Sequence, residues 1–221
     1  MRLYLTKNDT SFPAEMDIKD FSPQEFNTGR ADVFFLETEL VTLAQRLRTI
    51  LHCQVVINSG YRSKEYNKKV GGAENSKHIL GQAMDITLNS IGRKDWNILK
   101  VASIVNLLMM DEYKVSWGGI EIDLHPDNEN GWGYIHIDVR DAIPWRAVRF
   151  NGGSYVTCND LFETLNRTNK ASIYAWQYLI NQLCLTNIKV DGINGAKTQD
   201  ALKLLWLQGG QNKLLWFAMQ L

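Results

Sequence analysis

The sequence lacks a cysteine framework. Cys53, Cys158 and Cys184 are odd in number, far apart and without a CxxC pair, which fits free thiols made in a reducing compartment rather than a disulfide-stapled scaffold. It also lacks charge of one sign: Lys+Arg and Asp+Glu number 24 each, so net charge gives no reason to expect a nucleic acid or other polyanion as partner. Long apolar runs are missing as well. The most apolar helical stretch, around residues 98–110, contains Lys100, Ser103 and Asn106 and is too short to span a bilayer, so no membrane partner is expected. The first residues, MRLYLTKNDTSFPAEMD, show neither an apolar core nor a small-residue cleavage site; no signal peptide is expected, and synthesis in the cytoplasm is. No long tandem repeat or low-complexity segment is visible. What is present is an apolar fraction of 45% over 221 residues, enough to fill the core of one medium domain with a small one beside it.

Apolar spacing organises the chain. Leu40, Leu43, Leu47, Ile50 and Leu51 recur at helical intervals, with Gln45, Arg46 and Arg48 opposite. QVVINSGYRS reads as a short strand ending in a Ser59-Gly60 turn, and SKEYNKKV as one or two helical turns closed by Gly71-Gly72. A strand over 83–88 precedes a second strong helix, RKDWNILKVASIVNLLMM. EYKVSWGGIEIDL and GYIHIDVR then alternate as strands around the polar loop HPDNENGWG, and WRAVRF adds a last short strand. Strands gathered late predict an α+β fold: a small, mostly antiparallel sheet with flanking helices over residues 1–150. Residues 151–170, rich in Gly, Asn, Thr and Ser, read as a linker, and 171–221 as a small all-α module. In that module Ile173, Trp176, Ile180 and Leu183 form one helix face, Ala201, Leu202 and Leu205 a second, and NKLLWFAMQL a third helix.

The chemistry concentrates on two strands. Period-two alternation puts Tyr134, His136 and Asp138 on one face of GYIHIDV, with Ile135, Ile137 and Val139 on the other. Asp85 and Thr87 oppose Met84, Ile86 and Leu88 in the same way. A carboxylate beside a core is costly unless it is paired or bound to a metal. His78 reaches Asp85 from the preceding loop, so the polar faces offer two imidazoles and one carboxylate, the stoichiometry of a catalytic zinc site with a fourth position left open. Gly118 and Gly119 turn the chain beside this cleft. Trp117 and Trp132 are either groove or core aromatics, and His52 and His125 have no assigned role.

Read together, SGYRS (59–63), Asn67, VGGA (70–73), SKHILGQAMD (76–85) and HID (136–138) resemble the zinc D-alanyl-D-alanine carboxypeptidase and endopeptidase family, which cleaves peptidoglycan stem peptides. FSPQEF (21–26) is similar to an N-terminal segment of phage-type members, and the resemblance covers roughly residues 18–148. It implies His78, Asp85 and His136 as zinc ligands, with the metal activating water and polarising the scissile carbonyl. It further implies Arg62 facing the substrate carbonyl or a terminal carboxylate, and Ser76 orienting the substrate backbone, with Tyr134 beside it as a substrate contact. The other readings are a surface turn residue for Arg62 and a local cap for Ser76. Many relatives carry a Glu, Asp or His two or three residues before the last ligand; here Tyr134 and Gly133 stand there. Asp138 is the favoured general base, with orientation of His136 or a structural ion pair as its alternatives. Asp123, His125, Asp127 and Glu129 are further candidates.

WQYLINQLCLTNIKVDGINGAKTQDALKLL resembles the small helical peptidoglycan-binding module, whose VDGxxGxxT turn stands here at Val190–Thr198, with Ala196 where relatives often have Pro. The turn is set by Asp191-Gly192 and Gly195, and Thr198 steadies the next helix. The expectation is a zinc-dependent peptidoglycan peptidase acting as a monomer. Its partner is the bacterial cell wall, reached after release from the cell as a phage or prophage endolysin or from within a virion. The alternative is a zinc-containing wall-binding or phage structural protein that does not hydrolyse.

Overall fold

The computed structural model describes residues 1–96, 98–109, 118–125, 128, 131–140, 145–150, 152–154, 156–158, 177, 181, 187–189, 191 and 193–207. Two strands that the periodicity does not single out open the chain. β1 (Arg2–Thr6) and β2 (Val33–Glu37) form a two-stranded antiparallel sheet, with Tyr4 opposite Phe35. Between them, FSPQEF contains a 3-10 turn over Pro23–Phe26 that buries Pro23 and Phe26. The Phe26 carbonyl accepts from the Tyr61 amide at 2.6 Å, which ties this segment to the SGYRS turn.

α1 (Thr38–Leu51) buries Leu40, Val41, Leu43, Ala44, Leu47 and Leu51. Ile50, expected on that face, is exposed. Ile50 sits in the last turn, about 100° round the helix from Leu51, and falls outside the buried stripe there. β3 (Val55–Ser59), α2 (Lys64–Lys69) and β4 (Ala83–Leu88) follow as the pattern predicts. The single helix expected after β4 is instead two, α3 (Ser90–Asp95) and α4 (Ile98–Leu108). Asn89 caps α3 by accepting from the Gly92 amide, and Trp96 breaks it by adopting extended dihedrals. The Trp96 indole donates to Leu51 O at 3.2 Å, and its own carbonyl accepts from the Trp132 indole at 2.6 Å. Those two bonds hold the break open.

β5 (Gly119–Leu124), β6 (Trp132–Asp138), β7 (Trp145–Phe150) and β8 (Val156–Cys158) complete a six-stranded sheet of order β3-β4-β6-β5-β7-β8. Every pair is antiparallel except β5–β7. The fold is therefore α+β with a mostly antiparallel sheet, and its last strand lies within the stretch read as a linker. One face carries Met84, Ile86, Leu88, Ile120, Ile122, Ile135, Ile137 and Val148, all buried under α1 and α4. Each such side chain contributes about 1.5–3 kcal/mol by leaving water. That apolar face fixes the register, because a one-residue slip would turn it outward. A register irregularity between Asp123 and Leu124 places Leu124 opposite Trp132 and sends the Trp132 ring into the core.

Among the described residues no helix is long and apolar enough to cross a membrane. Cys53 is a free thiol. Near the C-terminus, α5 (Ala196–Leu207) includes positions 201, 202 and 205 as expected, with Ala201 buried. The buried Gln177 amide nitrogen donates to Asp191 Oδ1, Ile193 O and Thr198 Oγ1, and Asp191 Oδ1 also accepts from the Ile193 amide. The two further helices expected in this region lie outside the described residues, as does Trp117.

Candidate metal centre

The polar face of the sheet is built in rows. Ser59, Asp85, His136, Glu121 and Ala147 are register partners across β3, β4, β6, β5 and β7. Asp138, Gly119 and Trp145 form the row on one side, and Tyr134, Asp123 and Arg149 the row on the other. His78 is delivered to the central row by the loop before β4. That loop is fixed at Gly81, whose φ of +63° is a left-handed conformation and whose absent Cβ would lie 2.1 Å from Phe35 O. The Gly81 carbonyl accepts from the Glu37 amide at 2.9 Å, tying the loop to β2.

His78, Asp85 and His136 each offer a ligand atom, all within 4.8 Å of one another. His78 Nδ1 lies 2.7 Å from Gly60 O. A carbonyl only accepts, so Nδ1 carries the proton and Nε2 is left with its lone pair. His136 Nε2 lies 3.3 Å from Asp138 Oδ2, a buried carboxylate, so in the neutral ring the proton sits on Nε2 and Nδ1 is bare. Nδ1 faces Asp85 Oδ1 at 2.8 Å and His78 Nε2 at 3.3 Å; His78 Nε2 is 3.3 Å from the same carboxylate oxygen. Three acceptors thus converge with no proton of their own between them. Only a cation reconciles them, and two imidazoles with a carboxylate suit zinc. Without a metal, a proton takes that place on His136. Burial opposes the charge, but the Asp138 and Asp85 carboxylates outweigh it and raise the imidazole to about 9. Burial likewise pushes Asp85 up, and the hydrogen bonds from His136 and His78 reverse this and hold it well below the usual carboxylate range.

The surrounding side chains orient this cluster. Arg62 donates from Nε to Ser59 Oγ at 2.8 Å and from Nη2 to Asp85 Oδ2 at 3.0 Å, leaving Asp85 Oδ1 toward the imidazoles. Asp138 has no exposed side-chain surface and is clamped by the Arg140 guanidinium through both carboxylate oxygens, besides its contact with His136. Burial raises its carboxyl, and Arg140 and His136 more than offset that, so it remains ionised. Those contacts fit a carboxylate that fixes the far nitrogen of a ligand imidazole. Ser76 Oγ accepts from the His78 amide at 3.3 Å, the local cap. Tyr134 donates to Glu121 Oε1 at 3.3 Å and accepts from Arg149.

The sequence reading passed over Glu121 and Trp145. Glu121 is the direct cross-strand neighbour of His136 and forms an ion pair with Arg149, Nε to Oε1 2.6 Å. Burial pushes its carboxyl up, and the attraction of Arg149 does not cancel that. Alternation in GIEIDL carried the signal, since Glu121 and Asp123 share a face, but the pairing of that face with His136 depends on register. Trp145 meets His136 edge to face at 6.2 Å and stacks under Arg140, whereas Trp132 is buried. Asp123 is paired with His125 at 3.1 Å and accepts from the Gly152 amide at 3.0 Å, one row away from His136. Asp127 and Glu129 lie outside the described residues.

No curated protein gives a significant match to the chain. Residues 19–114 match the family model described as Peptidase M15, a span that includes Arg62, His78 and Asp85 and ends before His136.

Proposed function

We infer that this chain is a zinc-dependent peptidase of bacterial peptidoglycan, cutting stem-peptide or cross-link bonds. The observation that carries the reading is the convergence of His78 Nε2, His136 Nδ1 and Asp85 Oδ1 on one point, while Gly60 O and Asp138 hold the far nitrogens of the two imidazoles. These three residues would hold the metal. When bound, zinc supplies Lewis acidity, polarising a scissile carbonyl and making water nucleophilic near neutral pH. Arg62 fixes the Asp85 carboxylate and brings a cation to the edge of the centre, where it stabilises charge developing on a substrate oxygen. Asp138, through His136 Nε2, holds the ring in the tautomer that leaves Nδ1 bare. We assign Ser76 and Tyr134 to contact the peptide backbone of the substrate.

The C-terminal segment carries the second wall resemblance, and the Gln177–Asp191–Thr198 network supports a built turn there. We assign residues 1–158, through β8, to the peptidase, 159–170 to a connector and 171–221 to a wall-binding module. The protein would act on the wall as an endolysin or from a virion, as a monomer. One observation favours a second reading, a wall-binding protein that keeps the metal fold without hydrolysis: the positions just before His136 hold Gly133 and Tyr134 in place of a carboxylate.

Purified peptidoglycan treated with the zinc-loaded protein, alongside His136→Ala, separates the two. New peptide termini in the mass spectrum from the wild type alone establish hydrolysis, and their masses name the bond. Intact stem peptides despite bound zinc and retained wall binding would select the second reading.

A further inference from the structure

Resting on the peptidase reading, we propose that Glu121, carried by β5 rather than by the strand of the last ligand, is the proton-accepting carboxylate of the site, with Arg149 and Tyr134 as its positioning residues. Hydrolysis needs a group that takes a proton from the attacking water and returns it to the leaving nitrogen. β6 does not supply one. Asp138 is fully buried, spans Arg140 and lies on the side of His136 away from the ligand atoms. Asp123 is committed to His125 and the Gly152 amide in the next row.

Among the described residues Glu121 remains, opposite His136 in the central row and on the same face as Asp85. Directly opposed residues of an antiparallel pair have Cβ atoms about 4.5–5.5 Å apart, so a glutamate there reaches the space in front of the imidazole. Arg149 Nε and the Tyr134 hydroxyl both approach Oε1, which anchors the side chain through one of its two oxygens. The Arg149 guanidinium also donates to Tyr134 and stacks over its ring at 5.2 Å, so the three side chains form one braced unit. In the reaction, the water oxygen bonds to the carbonyl carbon and its proton passes to Glu121. As the C–N bond breaks, that proton moves to the leaving amine, and the carboxylate is regenerated. The carboxylate that relatives carry two or three residues before the last ligand is here replaced by one on the neighbouring strand, in the row of His136 itself.

The test compares wild type, E121Q, R149K, R149A and Y134F as full-length zinc-loaded proteins on purified muropeptides. Zinc stoichiometry and binding of acetohydroxamate, a metal-binding probe whose hydroxyl donates to an adjacent carboxylate, are measured alongside. E121Q is expected to lose kcat by at least ~100-fold with KM nearly unchanged, to bind zinc normally, and to bind the probe about tenfold more weakly. R149A and Y134F shift the pH profile of kcat, and R149K restores part of the R149A loss. Should E121Q not fold, E121D takes its place, keeping the charge but withdrawing it, and kcat falls about tenfold. An active wild type with undiminished kcat in E121Q (or E121D) overturns the inference alone. An inactive wild type overturns the peptidase reading, and unchanged probe affinity in E121Q then removes Glu121 from the site as well.

Discussion

Asp138→Asn tests the logic of the metal centre, because the side chain keeps its shape and loses only charge and one acceptor. Asp138 Oδ1 accepts from the Arg140 amide at 3.2 Å and from Arg140 Nε at 2.6 Å; Oδ2 accepts from Arg140 Nη2 and from His136 Nε2 at 3.3 Å. An asparagine must place its NH2 at one of these positions, where it meets donors. At Oδ1 it faces two donors of Arg140, neither of which can turn into an acceptor. At Oδ2 it faces one donor of Arg140 and the imidazole, which can. The second orientation is therefore favoured, and it makes His136 Nε2 an acceptor and moves the ring proton to Nδ1. Nδ1 is the atom that faces Asp85 Oδ1 and His78 Nε2, so the proton now occupies the metal's place. Losing an outer carboxylate of this kind costs about 10- to 100-fold in metal affinity, equivalent to ~1.4–2.7 kcal/mol. Competition with a chromophoric zinc chelator at pH 7.5 measures this, and thermal melting of the metal-free proteins separates it from general loss of fold. A zinc affinity within about threefold of wild type, in a variant that melts normally, would refute the tautomer argument.

Two further outcomes follow from the same geometry. Gly119→Ala places a Cβ 2.1 Å from Asp138 Oδ2 and 3.0 Å from Arg140 Nη2; the buried carboxylate has nowhere to retreat, so the zinc-free protein should lose about 1–3 kcal/mol in urea denaturation, and an unchanged midpoint would show that the row can open. Zinc binding should also displace the proton that His136, raised to about 9, carries in the metal-free protein. The sign is that affinity falls as pH drops below about 9, by up to tenfold per unit, and calorimetry in buffers of different ionisation enthalpy should find close to one proton released per zinc at pH 7.5; no buffer dependence would mean that the ring is already neutral.

Local pattern carried much of this protein. Period-two alternation is a property of the extended backbone itself, so the apolar face of β4 and β6, and with it the opposite-face set of Asp85, His136, Asp138 and Tyr134, was readable from two short segments. The spacing of His78 and Asp85 around Gly81 was likewise legible, because one tight turn joins them. Helix α1 was readable from its stripe, apart from Ile50 at its end. What local pattern did not hold was anything depending on which strand lies beside which. The break at Trp96 is made by bonds to Leu51 and Trp132, residues 45 and 36 positions away, and a window over the helix contains neither partner. β1 and β2 are stabilised by pairing across about thirty residues. Asp138 could be named as a carboxylate near His136, but only the fold shows that Arg140 occupies it and that it meets the far nitrogen of the ring. Glu121 lies 15 residues from His136 in sequence and directly opposite it in the sheet. A strand's own sequence determines which of its side chains share a face, because the backbone alternates; what those side chains meet is decided by the register of its neighbours, which the burial of the whole apolar face sets.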